Sequence, residues 1–194
     1  MRKIIFITGT IVIFILIGSI ILVSTKGIKT DNFNNFINQR VNEIDPKIKL
    51  NLNDVNFKLR TSDFKFVVKI LEPKVAVNKK TIDLELIKFD LDVLDYLNKK
   101  NPLNKISVIS KENDIVQLTK FLNEYKYNLS TDIILKQIKE GKIKISSDIF
   151  FDEKNFNNLK YLINGYVNDA EINLLNQFKL ENINFNFNIK ENII

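Results

Sequence analysis

The sequence predicts a mainly β protein with a few helices (β-rich α+β), in which an N-terminal transmembrane helix precedes a curved, amphipathic and mostly antiparallel sheet that forms an open groove. Two observations carry the prediction of the membrane helix and of the amphipathic sheet. The chain begins with an uncharged apolar run from Ile4 to Thr25, and most of the remaining chain alternates apolar and polar residues, which is typical of strands with one buried face. Glycine (5) and proline (3) are scarce, so no flexible linker divides the sheet region.

The N-terminal apolar run has the length of a membrane span. Of the 20 residues from Ile4 to Val23, 15 are Ile, Leu, Val or Phe, and a helix of that length extends roughly 30 Å, the thickness of the bilayer's hydrocarbon core. A secretory signal has a shorter apolar core and a small-residue cleavage motif. We therefore predict a transmembrane anchor with basic flanks over 1–29 and one β-rich domain over 30–194. A cleaved signal with a cut near Ser24 is the alternative.

Basic residues lie on both sides of this anchor. Arg2 and Lys3 favour a cytoplasmic N-terminus by the positive-inside rule, whereas Lys26 and Lys29 oppose it. Because a long domain after a short N-terminal tail usually lies across the membrane, we expect residues 30–194 outside the cytoplasm.

The net charge of +6 does not indicate a nucleic-acid partner. Residues 1–29 contain four basic and no acidic residues, which leaves 25 basic against 23 acidic residues in the rest of the chain. That balance, without a long basic run, is not the footprint of a protein that binds a phosphate backbone. We expect no nucleic-acid partner.

The residue types needed for catalysis are few. The chain has no cysteine and no histidine, so thiolate metal sites, thiol nucleophiles and imidazole bases are excluded. The carboxylate pairs Asp83/Glu85 and Asp90/Asp92 alternate with apolar residues and are interpreted as the solvent side of a strand. We predict no enzyme, no catalytic, metal or cofactor-binding residue and no cofactor; an envelope hydrolase that uses Asp or Glu is a minor alternative.

The first half of the domain is expected to begin with a helix over Asp31–Ile44, ended by Pro46. Its apolar stripe either packs on the sheet or lies on the bilayer surface. Ile48–Leu52 and Val55–Leu59 are then predicted as a strand pair, joined by a bulge or turn at Asn53-Asp54. Further strands are predicted at Phe64–Ile70, Val75–Val77, Ile82–Leu86 and, after a change of phase, Ile87–Val93.

The second half combines helices with further strands. A helix is expected from Asp114, its N-cap, to Tyr125, and another over Ser130–Glu140 with Gly141 as its C-terminal stop. A short helical turn is expected over Val93–Leu97, and a turn at Asn168-Asp169. Strands are predicted at Ile106–Val108, Ile143–Phe151, Leu159–Val167, Ala170–Leu174 and Phe185–Ile189.

The repeated apolar strand face needs a cover, because the predicted helices are few. A closed barrel or sandwich would bury it inside the protein. A curved sheet would instead leave it open as a groove, which beside a membrane suits phospholipid acyl chains. The residues predicted to line that groove and face lipid are Phe64, Phe66, Val68, Ile70, Ile82, Leu84, Ile143, Ile145, Phe185 and Phe187.

Several stretches resemble the AsmA-like envelope protein superfamily (YhdP/TamB-type), in its N-terminal portion. They are a helix FNNFINQRVNEI after the membrane helix, the segment KIKLNLNDVNFKL, and the run IDLELIKFDLDVLDYL before Asn101-Pro102. Leu94, Tyr96, Leu97 and Leu103 stand where the family has a short Leu-rich turn. In the C-terminal third, Gly165-Tyr166-Val167 matches the Gly-x-Val that precedes a β-hairpin in the family's repeat.

The resemblance implies an inner-membrane protein with a single span, a periplasmic β-groove, and a role in phospholipid transport or outer-membrane biogenesis. It carries over no catalytic residue. The strand pattern still runs at Ile194, so we expect the rest of a longer chain or another envelope protein to cover an open sheet edge. The alternative is a membrane-anchored assembly factor with a closed β-core that binds envelope proteins.

Overall fold

The computed structural model describes residues 15, 18–30, 34–98, 100, 102–127, 129–151, 159–174 and 177–191. The protein is mainly β, as the alternation predicts. Its strands are β1 (Ile28–Thr30), β2 (Ile48–Asn51), β3 (Val55–Arg60), β4 (Lys65–Leu71), β5 (Lys74–Val77), β6 (Lys80–Asp92), β7 (Leu103–Ser110), β8 (Asn113–Asp114), β9 (Ile138–Phe151), β10 (Leu159–Leu174) and β11 (Phe178–Lys190). Its helices are α1 (18–25), α2 (Asn34–Ile44), α3 (Val93–Leu97), α4 (Ile115–Tyr125) and α5 (Leu129–Gln137).

The strands form one open antiparallel sheet in the order β1-β3-β4-β6-β7-β9-β10-β11. A short branch, in which β2 pairs with β5 and β5 with β6, leaves this path, and β8 pairs with β9. Among the described residues β1 and β11 stand at opposite edges and do not pair with each other. The open antiparallel sheet of the predicted fold class is therefore confirmed, and over these residues the strands do not close into a barrel.

Strand β6 belongs to both parts of the sheet. Its first residues, from Lys80 to Asp83, pair with β5, and its later residues, from Leu86 to Asp92, pair with β4. The register on β7 shifts between Leu84 and Leu86, which places Leu84 and Ile87 on the same buried side. The predicted change of phase at Ile87 is this irregularity, which bends one strand through two pairings.

The core lies between the sheet and the elements that fold over its first half. Val55, Ile70 and Val77 are completely buried, and Phe121 of α4 packs into the same cluster. A smaller cluster, formed by Ile115, Val167 and Ala170, joins α4 to strand β10. Asp114 is the N-cap of α4, as predicted: its Oδ1 accepts a hydrogen bond from Gln117 N at 3.0 Å.

Three local predictions are wrong. Strands β2 and β3 do not pair with each other, because Ile48 to Asn51 pairs with β5. The second predicted helix ends at Gln137, and Gly141 lies inside β9, where a Cβ would lie 2.8 Å from Ile115 Cδ1. At Asn168-Asp169 the chain does not turn back, since β10 continues through a register shift on β9.

The predicted membrane helix, Ile4 to Val23, lies largely outside the described residues. Among the residues that the structure describes, no helix combines the length and the apolar character needed to cross a bilayer. Asp31, where the first helix of the domain is predicted to begin, also lies outside them, and that helix is described from Asn34.

Candidate functional site

One face of the sheet is apolar from edge to edge. Residues directly opposite each other on neighbouring antiparallel strands point to the same side, so the strand register defines the face. One row of partners runs across seven strands and consists of Val55, Ile70, Ile87, Val108, Ser147, Ile163 and Ile189. The next row consists of Ile28, Phe57, Val68, Phe89, Ile106, Ile149 and Tyr161. Apart from the Tyr161 hydroxyl, only Ser147 brings a polar group into the two rows.

The first half of this face is roofed by the protein itself. Helix α4 contacts β5, β6, β8 and β9, and α2 contacts β2. Ile37 of α2 and Leu118 of α4 pack against the main cluster, which is the buried group that contains Val55, Ile70, Val77 and Phe121. The roof accounts for the burial of Ile70 and Ile87, which lie at the centre of the sheet.

Beyond this roof the apolar face meets solvent. We call the group Phe66, Tyr161, Phe185, Phe187 and Ile189, which share this face by register, the open apolar face. Phe185 is 49% exposed and Ile189 is 50% exposed, although both lie within strand β11. Single exposed apolar side chains are common on protein surfaces, but a contiguous apolar patch marks an interaction site. The open apolar face is therefore the candidate functional site of the described part of the chain.

The structure divides the ten predicted lining residues into a buried group, an exposed or half-buried group, and Phe64, which lies outside the strands. Val68, Ile70, Ile82 and Leu84 are buried in the main cluster, under the roof. Phe66 and Phe185 are exposed, and Ile143, Ile145 and Phe187 are half-buried. Phe64 is not in a strand: it ends the turn between β3 and β4 with a φ of 49°. The predicted lining residues that belong to strands therefore lie on the same face of the sheet, and only part of that face is open to solvent.

Two residues of the open apolar face are not among the predicted lining residues. Tyr161 and Ile189 lie in predicted strands, but their exposure depends on their distance from Val167 and Ala170, where α4 packs on β10. The alternation of apolar residues could have identified both side chains, because Tyr161 is in phase with Ile163 and Ile189 is in phase with Phe187. The sequence does not show that β10 and β11 lie at one side of the sheet.

A glycine shapes the floor of the open apolar face. Gly165 lies opposite Ile145 and Phe187, and a Cβ at this position would overlap the Phe187 ring and approach the Lys144 carbonyl oxygen to 2.7 Å. The ring of Phe187 thus lies over the glycine. It also stands 6.3 Å from the ring of Phe185, at an interplanar angle of 49°, so two aromatic rings line the face side by side.

The opposite face of the sheet carries paired charges. Lys105 Nζ lies 2.9 Å from Asp148 Oδ2, and Lys144 Nζ lies 2.6 Å from Glu85 Oε2. The carboxylates interpreted as solvent-facing follow the same pattern, since Asp83 pairs with Lys74 and Asp90 with Lys88. Within the described ranges, no three acidic side chains converge as they would around a metal ion. This face therefore carries ion pairs, whereas the open apolar face is lined by aromatic and aliphatic side chains.

Asp148 links this charged face to the pH dependence of stability. Burial acts to raise the pKa of Asp148, but the Ser107 hydroxyl, which donates at 2.6 Å, and Lys105 outweigh it and hold the pKa below its ordinary value. A lowered pKa stabilises the fold above the unfolded-state pKa, and the stabilisation is lost as the pH falls through the folded-state pKa. We expect acid to lower the free energy of unfolding of the unmodified protein below about pH 4. We expect the Asp148→Asn variant to have a lower free energy of unfolding at neutral pH, and to lose less of it in acid than the unmodified protein does. Denaturant titrations over this pH range measure both, and identical pH profiles would contradict the assignment.

No protein-family model, curated protein or solved structure matches this chain. The function of this protein is therefore inferred from the geometry of the open apolar face and from the apolar N-terminal segment.

Proposed function

We propose that the protein is a membrane-anchored, AsmA-like module that holds or guides phospholipid acyl chains along its open apolar face, in lipid transport or outer-membrane biogenesis. In this proposal residues 1–29 anchor the chain in the inner membrane and residues 30–194 lie in the periplasm. The observation that carries it is the contrast between two faces of one sheet: Phe185 and Ile189 are half exposed in strand, while the charges opposite are paired.

The dimensions of the open apolar face suit an acyl chain. Neighbouring strands lie about 4.8 Å apart, so the three strands β9, β10 and β11 give a floor roughly 10 Å wide. Each methylene removed from water contributes about 0.8 kcal/mol, so ten methylenes in contact contribute about 8 kcal/mol. An acyl chain needs no hydrogen bond from its site, which fits a floor of aliphatic and aromatic side chains.

The proposal is for a binding module and not for an enzyme. Several acidic groups of the described sheet form ion pairs with lysines, as Glu85 does with Lys144 on the face opposite the open apolar face. A lipid on the open apolar face would therefore contact hydrocarbon and aromatic rings without a nucleophile or base beside it.

Photo-crosslinking in membranes tests the proposal directly. A photoreactive phenylalanine analogue is placed at Phe185, on the open apolar face, or at Asn186, the next residue and on the opposite face. The full chain is irradiated in bacterial membranes, purified and analysed by mass spectrometry. We expect phospholipid adducts at position 185 and few at position 186, with the adducts at 185 falling in an Ile189→Asp variant but not in an Asn188→Asp variant, because a carboxylate in an apolar contact is costly.

Equal yields of phospholipid adducts at positions 185 and 186 would contradict the proposal, because these positions lie on opposite faces of β11 and only one face is proposed to contact lipid. Protein adducts at position 185 in place of lipid would favour the second candidate function, an assembly factor that binds envelope proteins. The observation that favours this candidate is β11, a 13-residue edge strand with no strand described on its outer side, which is a template for strand addition.

A further inference from the structure

The helix that precedes the sheet is joined to it with almost no linker. Helix α1 ends at residue 25 and β1 begins at Ile28, and the backbone N–H of Lys26 still donates to Leu22 O at 3.0 Å. Gly27 has a φ of 70°, and a Cβ there would lie 2.8 Å from Phe57 O. The junction therefore packs directly on β3, and α1 leaves the sheet at a defined place.

The strand register shows which end of the sheet this is. Ile28 lies opposite Phe57 and Thr30 lies opposite Val55, so the chain before Ile28 lies towards Arg60, where β3 turns into β4. At the same end, Val93 N donates to Phe64 O at 3.1 Å, which joins the β3–β4 turn to α3. Helix α1, this turn and α3 therefore lie at one end of the sheet.

Four large apolar side chains at this end of the sheet are exposed and do not belong to the buried core. We call Phe64, Leu94, Tyr96 and Leu97 the apolar lip. Phe64 is 56%, Tyr96 70% and Leu97 68% exposed, and α3 has no buried residue. Phe64 also adopts a positive φ of 49°, a conformation that is unusual for a bulky residue and that the surrounding turn maintains.

We propose that the apolar lip inserts into the bilayer that anchors residues 1–29, so that the sheet meets the membrane at this end. This inference rests on the proposed function and extends it, because it names the contact through which lipid reaches the sheet. The bilayer is the partner because α1, with exposed Ile20, Ile21 and Leu22, leaves the sheet beside the lip. A junction of two residues spans at most about 11 Å, so the lip has little freedom to lie away from that bilayer.

The chemistry of this end fits a membrane surface. Lys26, Lys58 and Lys100 are exposed, and the N–H of Lys100 donates to Asp95 O of α3 at 2.8 Å, which holds that lysine beside the lip. Lysines attract the anionic headgroups of a bilayer, and tyrosine is favoured at the interface. Short amphipathic segments enter about 5–10 Å into this region, and Leu97 and Phe64 are the exposed side chains that would enter it.

The lip also meets the open apolar face. Phe66, the next apolar residue after Phe64, lies opposite Leu91 on the apolar side of the sheet, and Phe66 is among the exposed residues. Phe66 therefore places one residue of the open apolar face directly beside the lip.

The absence of cysteine makes single-cysteine labelling of the full chain the suitable test. An environment-sensitive fluorophore is attached in turn at Phe64→Cys, Leu97→Cys, Ile133→Cys and Ile20→Cys, and the chain is placed in nanodiscs of phosphatidylcholine and phosphatidylglycerol. Ile133 is the matched control: it is 53% exposed and lies on α5, which leads into the start of β9 at the opposite end of the sheet. The measurement is quenching by lipids that carry a spin label on the acyl chain.

We expect a blue shift and quenching at positions 64, 97 and 20, and neither at position 133. Quenching at position 20 without quenching at 64 and 97 would overturn the lip while leaving the anchor in place. Absence of quenching at position 20 would instead contradict the anchoring in the proposed function. Equal quenching at 97 and 133 would also overturn the inference, because the whole domain would then lie on the membrane without a preferred end.

Discussion

Replacing Ile70 by alanine is expected to lower the free energy of unfolding by about 2–5 kcal/mol. Ile70 is completely buried, pairs with Val55 and Ile87 on the apolar side, and belongs to the main cluster. The substitution removes three carbons from a site whose neighbours lie on three strands, so the backbone cannot collapse to fill the cavity. Denaturant unfolding of the full chain, followed by circular dichroism, measures the loss.

Leu71 provides a matched control for Ile70. It is the next residue on β4, points to the opposite face and is 46% exposed, so Leu71→Ala removes the same kind of side chain from a solvent-exposed site. We expect a change within about 0.5 kcal/mol for this variant. Equal losses for the two variants would mean that the two faces of β4 are buried alike, which would contradict the packing of Ile70 in the main cluster.

The second large effect is expected at Gly165, where alanine is predicted to cost about 1–3 kcal/mol through overpacking. The new methyl group would overlap the Phe187 ring and lie 2.7 Å from the carbonyl oxygen of Lys144. The ring can move, but the carbonyl belongs to a paired strand and cannot. We therefore expect Gly165→Ala to destabilise the sheet between β9 and β11.

A double-mutant cycle separates these two contacts. In a Phe187→Ala background the ring is absent, so the cost of Gly165→Ala is expected to fall but not to vanish, because the contact with the Lys144 carbonyl remains. Asn164→Ala, next to the glycine and exposed on the opposite face, is the control for a change on β10. An equal loss of unfolding free energy on Gly165→Ala in the presence and absence of the Phe187 ring would show that the ring does not limit the space for a side chain at position 165.

Much of the fold follows from local pattern. The alternation of Phe66, Val68 and Ile70 predicts a strand with one buried side, and β4 has that form. The change of phase at Ile87 predicts an irregularity in β6, which the register shift on β7 supplies. Asp114 before an apolar stripe predicts a helix start, and its carboxylate accepts from Gln117 N. These features depend on a few neighbouring residues and on the geometry of one strand or one helix turn.

Long-range pairing is where prediction from the sequence fails. Ile48 to Asn51 has a suitable partner in the adjacent β3, yet it pairs with β5, because the β2–β5 branch covers the main cluster. Gly141 stands at the end of a helical pattern and is predicted as its stop, but the glycine is needed where β9 passes α4 and β10. In both cases a contact distant in sequence outweighs the local preference.

The candidate site shows the same division. All strand residues among the predicted lining lie on the apolar side, since side-chain alternation is a property of one strand. Val68 and Ile70 are nevertheless buried while Phe185 is exposed. Their local patterns are alike, and the difference comes from α2 and α4, which pack against the cluster that contains Val68 and Ile70, whereas Phe185 lies on the edge strand β11.

The sequence by itself determined that this is a β-rich chain with a strongly apolar N-terminal segment, and which side of each strand is apolar, because hydrophobicity and a period of two are written in neighbouring residues. Only the tertiary structure decided that the sheet stays open, which part of its apolar face meets solvent, and that Phe64 and α3 come together beside the end of α1. Exposure is a property of what packs against a residue, and here those packing partners come from distant parts of the chain.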